Sequence, residues 1–343
     1  MHFIKHNTQR SEGDLMEGHK VCSLFCGAGG LDLGFKQAGY KILWANDFNR
    51  DSCATYRLHS PETTVVQKDI TKIDASTIPD CDVFLGGFPC QGYSLGGKRV
   101  IDDPRNKLYK EYVRVIKAKK PKCFIGENVK GILTMGKGEV LRQIIEDFSA
   151  AGYTVFYQLV DAKNFGVPQD RERVIITGFR EDLNITDYAI PAYTGKSMNI
   201  GEALKDLPEP TPDEVYSGSF SPWFTMRNRR REFTDVSQTI LATARQIPIH
   251  PSSPPMVKLG KDAWAFGEGG TTRRYSYKEC AALQTFPKEI EFVGKLESKY
   301  RQIGNAVPVK LAYHIAKHLK TVLSAGVNTD DGEVLLQGTE DNP

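Results

Sequence analysis

The chain reads as an α/β protein, a doubly wound and mostly parallel sheet with a smaller inserted domain. Three observations predict it. From residue 20 to about 184, short apolar runs alternate with amphipathic helical stretches, the pattern of a parallel sheet covered by helices on both faces. Between about 185 and 270 prolines and glycines crowd and no clear period survives, as in LPEPTPDE (207–214) and HPSSPP (250–255). Periodicity then returns at 277–286 and in a last helix at 309–323.

The apolar runs predict strands at 21–25, 41–45, 82–85, 123–126, 155–160 and 173–179, with a further strand ahead of Asp69. Helices fit between them. In 106–119, Leu108, Tyr112, Val115 and Ile116 share one face; in 139–151, Val140, Leu141, Ile144, Ile145 and Phe148 do so, with Gly152 in place to end the helix. Leu311, Ile315, Leu319 and Val322 give the last helix its apolar stripe. These elements divide the chain into a loose leader (1–19), a discontinuous catalytic and cofactor-binding domain (20–184 with 300–325), an inserted domain (185–299, with a returning motif at 273–287) and an acidic, disordered tail (326–343).

No apolar run approaches the roughly 18 residues that span a bilayer, and the polar start lacks the apolar segment of a secretory signal, so the expectation is a cytoplasmic protein. The seven cysteines are odd in number and contain no CxxC pair. That argues against a disulfide framework or a zinc ribbon, and no metal is expected. Each cysteine is an inert core thiol unless its surroundings argue otherwise. A net charge of +3 on 343 residues does not by itself announce a nucleic-acid partner. The run RNRRR (227–231), followed by Arg245, becomes a phosphate contact only if other features point to nucleic acid.

The segment FCGAGG (25–30) follows the first strand and opens a helix. Glycines there let the backbone turn tightly and approach a ligand. The spacing is neither GxGxxG nor GxxxxGK[ST]. After the second strand, Asp47 can accept ribose hydroxyls and Phe48 can stack on a purine; after the third, Asp69 can bind an adenine amino group. With no second phosphate-binding device, these residues favour S-adenosylmethionine over a dinucleotide.

A second loop, GGFPCQGYS (86–94), follows another strand end and puts Cys90 where ligands bind in such sheets. Pro89 stiffens the approach to it. Glu127 in ENV (127–129) and the arginines of QDRER (169–173) reach the same side. A thiol, a carboxyl group and two arginines together can hold and activate a polar heterocycle.

Taken in order, FCGAGGLDLGF (25–35), GGFPCQGYS (86–94), ENV (127–129), QDRERV (169–174), ECAALQTFP (279–287) and RQIGNAVP (301–308) resemble the motifs of DNA cytosine-C5 methyltransferases, enzymes with the S-adenosylmethionine-dependent methyltransferase fold. Coverage runs from about residue 21 to 323, and the loop-rich gap falls in the family's target-recognition region. Residues 227–251 are similar to the branch that includes enzymes modifying GGCC.

The resemblance implies roles. Cys90 adds to C6 of cytosine, so that C5 becomes nucleophilic toward the cofactor's methyl group. Glu127 bonds N3 and the exocyclic amine, Arg173 holds O2, and Arg171 orders the site. Phe25, Gly27, Gly29, Gly30, Asp47, Phe48, Asp69, Ile70, Pro89, Asn305 and Ala306 line the S-adenosylmethionine site, whose product is S-adenosylhomocysteine. The target base lies inside a duplex and must be flipped out. The loop 92–106, with Ser94, Lys98 and Arg99, is expected to close over it. Arg227, Arg229, Arg230, Thr239, Ile240 and Arg245 are the other expected DNA contacts, with His250 as readily structural. The expected partner is double-stranded DNA, bound by a monomer of a bacterial restriction-modification system, nucleoid-associated and without membrane contact. Whether a cognate restriction endonuclease exists is not written in the chain. The rival readings are a transfer-RNA cytosine methyltransferase and a catalytically silent DNA-binding regulator.

Overall fold

The computed structural model describes residues 18–89 and 107–325. Seven strands form one sheet: β1 (Lys20–Leu24), β2 (Lys41–Asp47), β3 (Thr64–Gln67), β4 (Val83–Gly86), β5 (Cys123–Val129), β6 (Tyr153–Asp161) and β7 (Glu172–Arg180). Their order is β3-β2-β1-β4-β5-β7-β6. Pairing from β3 through β5 is parallel, while β7 runs antiparallel to β5 and β6. From β1 the chain winds outward one way through β2 and β3, then resumes on the other side at β4. The order therefore reverses between β1 and β4, and a crevice opens there at the carboxyl ends of the strands.

Side chains alternate across the sheet with the period of two that a strand imposes. Val21, Val83, Leu85, Cys123 and Ile125 share a core with Leu31 and Phe35 of α1 (Gly30–Gln37) and with Leu311, Ile315 and Leu319 of α8 (Val309–Ala325). Cys22, Leu24, Phe84 and Phe124 join the opposite core with Tyr112, Val115 and Ile116 of α3 (Lys107–Lys119) and Ile144 and Phe148 of α4 (Glu139–Ser149). Helices thus cover both faces, as the alternating pattern predicts. The last helix of the chain packs on the first, and the fit is tight: a Cβ on Gly34 would lie 2.4 Å from Ala312 Cβ.

Strand and helix bounds fall within a few residues of expectation, with one informative difference. Residues 127–129 lie inside β5 rather than beyond its end, because β7 continues the ladder to the pair Val129–Arg173. The reversed strand brings residues 169–173 to the carboxyl edge of the parallel strands, where the ligand crevice opens.

Between residues 185 and 299 regular structure is sparse: α5 (Ile200–Leu204), the hairpin β8 (Val257–Gly260) and β9 (Ala263–Ala265), α6 (Tyr277–Leu283) and the start of α7 (Leu296–Asn305). Ser276 and Glu279 cap α6 reciprocally. α7 was not anticipated, since its sequence is largely polar. Only Tyr300, Gln302, Ile303 and Gly304 of it are buried. One buried cluster crosses the composition break. Ala28 and Leu33 of the first domain share a cluster with Ile240, Ala244, Ile247, Tyr275, Cys280, Leu283, Tyr300 and Ile303. Among the described residues no helix is long and apolar enough to cross a membrane. Most of the expected leader and the expected tail lie outside those residues.

Candidate active site

The carboxyl end of β1 leads into a turn that only an unusual backbone can make. Phe25, Gly27 and Gly29 all have positive φ, at 55°, 54° and 84°. Phe25 is not a glycine, so the conformation carries strain at this position. Backbone bonds hold the turn, with Cys26 N donating to Asn46 O (3.0 Å) and Gly29 N to Cys26 O (2.9 Å). Asp47, at the end of β2, accepts from Gly27 N through Oδ2 (2.9 Å) and from Asn49 N through Oδ1 (2.8 Å). Burial pushes its carboxyl above the ordinary range, against these hydrogen bonds.

A Cβ on Gly27 would meet nothing within 4 Å, so the turn faces open space, as a cradle for a nucleoside requires. Gly30, by contrast, is roofed by the stretch before α8: a Cβ there would lie 2.4 Å from Val307 O. Ala306 Cβ would lie 3.0 Å from the same Cβ, and Asn305 before it in the chain is exposed. Phe48 is 75% exposed beside Asp47. Asn46 Nδ2 donates to Val66 O and Lys68 O, both at 2.8 Å, and ties β2 to the segment carrying Asp69. Asp69 is exposed and accepts from Thr71 N (3.0 Å) and Thr71 Oγ1 (2.9 Å), which hold its carboxyl below the usual range. Ile70 behind it is buried. The residues fit S-adenosylmethionine: carboxylates that accept from hydroxyls and amine, an exposed aromatic side chain, and a turn that is open at Gly27.

On the other side of the crevice, Asn128 Nδ2 donates to Phe88 O (2.9 Å). Phe88 is buried against Tyr109 and Tyr112, and a Cβ on Gly126 would lie 3.1 Å from its ring. Backbone and side chain are thus both fixed at Phe88, and half-buried Pro89 follows. Cys90 lies outside the described residues, as do Ser94, Lys98, Arg99 and the rest of the loop 92–106. Glu127 is buried and its Oε1 is 2.8 Å from Arg173 Nε. Arg173 also donates through Nη1 to Glu172 O (2.7 Å).

Arg171 sits differently. It is 1% exposed and donates to three carbonyls: Ile240 O (3.1 Å), Gly304 O (2.8 Å) and Ala306 O (2.9 Å). Its Nε is buried and has no hydrogen-bond partner among the described residues. Burial, and then Arg173, pull its basicity down against the opposing charge of Glu127. Gln169 and Gln284 extend this network. Gln169 Nε2 donates to Gln284 Oε1 (3.0 Å), Ile240 N donates to Gln169 Oε1 (2.9 Å), and Gln284 Nε2 donates to Ile303 O (2.7 Å). Neither glutamine was singled out, although both stand in quoted motifs. Nothing local marks a glutamine as a bridge.

The expected DNA contacts divide. Arg227 and Arg245 are exposed, and Arg245 reaches Ser219 Oγ at 3.0 Å. Arg229 does not face solvent: it is 4% exposed, 5.1 Å over the Phe224 ring, and donates to Phe224 O (3.2 Å), with burial lowering its pKa to about 10. Arg230 likewise spends its donors within the chain, on Pro251 O (2.7 Å), Ser253 O (2.8 Å) and the Glu232 carboxylate. The run pairs with the chain at Arg230–Ile249, and that pairing turns part of it inward. Thr239 Oγ1 donates to Asp170 O (2.6 Å). Ile240 has a fully buried side chain and takes part through its backbone. His250 is structural: it is buried, its Nδ1 is 2.7 Å from Ser252 Oγ and its Nε2 is 3.4 Å from Glu279.

Known proteins match this arrangement over nearly the whole chain. The Type II methyltransferase M.BspRI of Lysinibacillus sphaericus is 41% identical over 346 aligned residues, covering 87% of this chain and 81% of that protein. M.FnuDI of Fusobacterium nucleatum, also named a Type II methyltransferase, is 41% identical and covers 89% and 95%. Among solved structures, a putative DNA modification methyltransferase encoded within an Escherichia coli prophage superposes with a TM-score of 0.70 at 22% identity, covering 90% of this chain and 100% of that one. A DNMT2 variant from Spodoptera frugiperda gives 0.66 at 19%, covering 89% and 100%. At such identities the structural matches speak for the fold alone. The family model described as C-5 cytosine-specific DNA methylase matches residues 19–321, a span that takes in the glycine turn, Glu127, the paired arginines and the roof over Gly30, so the chain belongs to the C-5 cytosine-specific DNA methylase family.

Proposed function

We propose that the Cys90 thiolate attacks C6 of a cytosine flipped out of duplex DNA, and that Glu127 and Arg173 hold that base while C5 is methylated. The Glu127–Arg173 pair carries this reading. A carboxyl group and a guanidinium 2.8 Å apart at the carboxyl edge of the sheet offer one face with both acceptor and donor groups, the complement of a cytosine edge. Asn128, gripping Phe88 O, would hold the chain two residues ahead of Cys90.

The residues divide the work. Addition of sulfur to C6 places electron density on C5 and N3, and a proton carried by the Glu127 carboxyl group and donated to N3 stabilises it. Arg173 fixes O2. Water then takes the C5 proton, the C6–S bond breaks to return Cys90 as a thiolate, and N3 returns its proton to Glu127. S-adenosylmethionine supplies a methyl group made electrophilic by its sulfonium. Phe25, Gly27, Gly29, Asp47, Phe48 and Asp69 would hold it against β1 and β2, with Gly30 roofed by the segment that carries Asn305 and Ala306. Arg171 acts through others, joining the recognition segment at Ile240 to this roof. Arg227 and Arg245 are the proposed DNA contacts among the described arginines.

The relatives' names make a restriction-modification role the natural setting, with the protein acting as a monomer on host duplex DNA in the cytoplasm. The likeness of residues 227–251 to the GGCC-modifying branch makes GGCC the first duplex to test. A 5-fluorocytosine duplex traps the covalent intermediate. Wild-type protein with cofactor is expected to give an adduct stable to denaturant, and Cys90→Ala none. An adduct with Cys90→Ala would sink the mechanism, and methylation of transfer RNA in preference to duplex DNA would sink the substrate.

A further inference from the structure

We propose that Tyr56 and His59 of α2 (Arg50–His59) are positioning residues that set the affinity for S-adenosylmethionine by clamping the Ala28–Gly29 turn of the glycine loop, with Asp32 fixing Tyr56. The inference rests on the reading of that loop as the cofactor cradle.

The two side chains lie one helical turn apart, so both project from the same side of α2. Their rings pack together with centroids 5.1 Å apart and planes at 36°. Together they form the wall of the turn: a Cβ on Gly29 would lie 2.8 Å from Tyr56 Cε2 and 3.0 Å from His59 Cε1. His59 Nε2 is 2.8 Å from Ala28 O. A carbonyl can only accept, so Nε2 carries the proton, which leaves Nδ1 to accept from Ser60 Oγ at 3.1 Å. Burial holds the His59 pKa below its ordinary value, which favours this neutral ring.

Tyr56 is itself fixed. Its hydroxyl donates to Asp32 Oδ2 at 2.6 Å, and Ser23 Oγ donates to Asp32 Oδ1 at 2.8 Å. Asp32 is 2% exposed and belongs to the first turn of α1, the helix that the glycine loop opens. One carboxylate therefore joins β1, α1 and α2 directly beneath the turn. None of these groups belongs to the Glu127–Arg173 pair proposed to hold the base. What they control is the shape of a strained loop. A loop held in its bound form before the ligand arrives loses less entropy on binding, and the gain appears as affinity.

Titration calorimetry of the full chain with S-adenosylmethionine tests this. Tyr56→Phe keeps the ring and removes the bond to Asp32; His59→Ala removes the bond to Ala28 O. Each is expected to weaken cofactor binding about tenfold, the scale of one lost hydrogen bond, while the dissociation constant for a cognate duplex stays within about twofold of wild type. Asp32→Asn and His59→Gln retain the polar contact and are expected to restore cofactor affinity to within about threefold of wild type. Should Tyr56→Phe fail to fold, the His59→Ala and His59→Gln pair decides the question alone. Folded Tyr56→Phe or His59→Ala protein binding the cofactor as wild type does, or losing duplex affinity in parallel, overturns the clamp. Wild-type protein that does not bind the cofactor overturns instead the cradle reading beneath it.

Discussion

Glu127 and Arg173 meet diagonally across the β5–β7 ladder, where Glu127 pairs with Ile175 and Arg173 with Val129, and with Nε and Oε1 2.8 Å apart the pair is arranged before a base arrives. Glu127→Gln keeps the shape and removes the charge. It is expected to lower kcat by about 10²–10⁴-fold, the usual loss for a group that assists proton or charge movement, with the fold intact. Transfer of labelled methyl to duplex DNA measures it, and a loss under about tenfold would remove Glu127 from the chemistry. A second residue offers a pH test. Burial raises the Asp32 pKa from an ordinary 3.8 to about 6, against hydrogen bonds from Tyr56 and Ser23. The folded state therefore holds the proton more tightly than the unfolded state. This contribution to stability is complete below about pH 4 and is lost as pH rises through about 6. Asp32→Asn removes the titration, so its stability relative to wild type is expected to be about 1 kcal/mol greater at pH 8 than at pH 5, in paired urea melts. An equal difference at both pH values would mean that Asp32 titrates normally. Residue types at strand ends made Cys90, Glu127 and Asp47 visible in the sequence. Asp32 was not visible, because an acidic residue in a first helical turn ordinarily serves the helix dipole at the surface.

Elements were legible where one period ruled them. The alternation of 20–184 gave the strands and covering helices, since burial on both faces leaves a strand or helix little compositional freedom. Contacts between elements were not legible. Nothing in the α1 sequence says that Gly34 is where α8 comes closest. Ala at position 34 improves helix propensity by about 1 kcal/mol. Its Cβ, however, would lie 2.4 Å from Ala312 Cβ and 2.5 Å from Tyr313 N, and backbone cannot swing aside. Overpacking of this kind costs about 1–3 kcal/mol, so the balance for Gly34→Ala is expected to be destabilising. A melting temperature at or above wild type would show that α8 can shift. The arginine run teaches the same lesson. Five consecutive polar residues read as solvated surface, yet pairing at Arg230–Ile249 commits Arg229 and Arg230 to the interior of the segment. Arg227→Ala is therefore expected to weaken duplex binding and lower the slope of log affinity against log salt by about one, the signature of one lost phosphate contact. Arg230→Ala is expected to leave that slope unchanged and to lower the melting temperature. The reverse assignment of slopes would place Arg230, not Arg227, on the DNA.

At the scale of the molecule, the region proposed to recognise DNA and the sheet proposed to carry the chemistry share a buried cation as well as an apolar cluster. Arg171 reaches Ile240 O, Gly304 O and Ala306 O, which stand 69, 133 and 135 residues further along the chain. A fork of donors ties the start of β7 to the segment at Ile240 and to the roof over the glycine turn, and Gln169 and Gln284 extend the same network. Separations of that size leave no local periodicity, which is why the sequence marked Arg171 by motif but not by purpose. Arg171→Lys tests whether the fork matters beyond the charge. Lysine retains the cation but has one compact ammonium, which cannot satisfy three carbonyls spread across the guanidinium plane. Each buried carbonyl left without a donor costs about 1–3 kcal/mol, so urea melts are expected to show a loss of about 2–4 kcal/mol. Because the freed groups belong to both the recognition segment and the cofactor roof, KM for duplex and KM for S-adenosylmethionine are expected to rise together, unlike the cofactor-only effect of Tyr56→Phe. A stable Arg171→Lys protein with both constants unchanged would mean that the two regions are coupled through packing among Ala28, Leu33, Ile240 and Ile303 rather than through this cation.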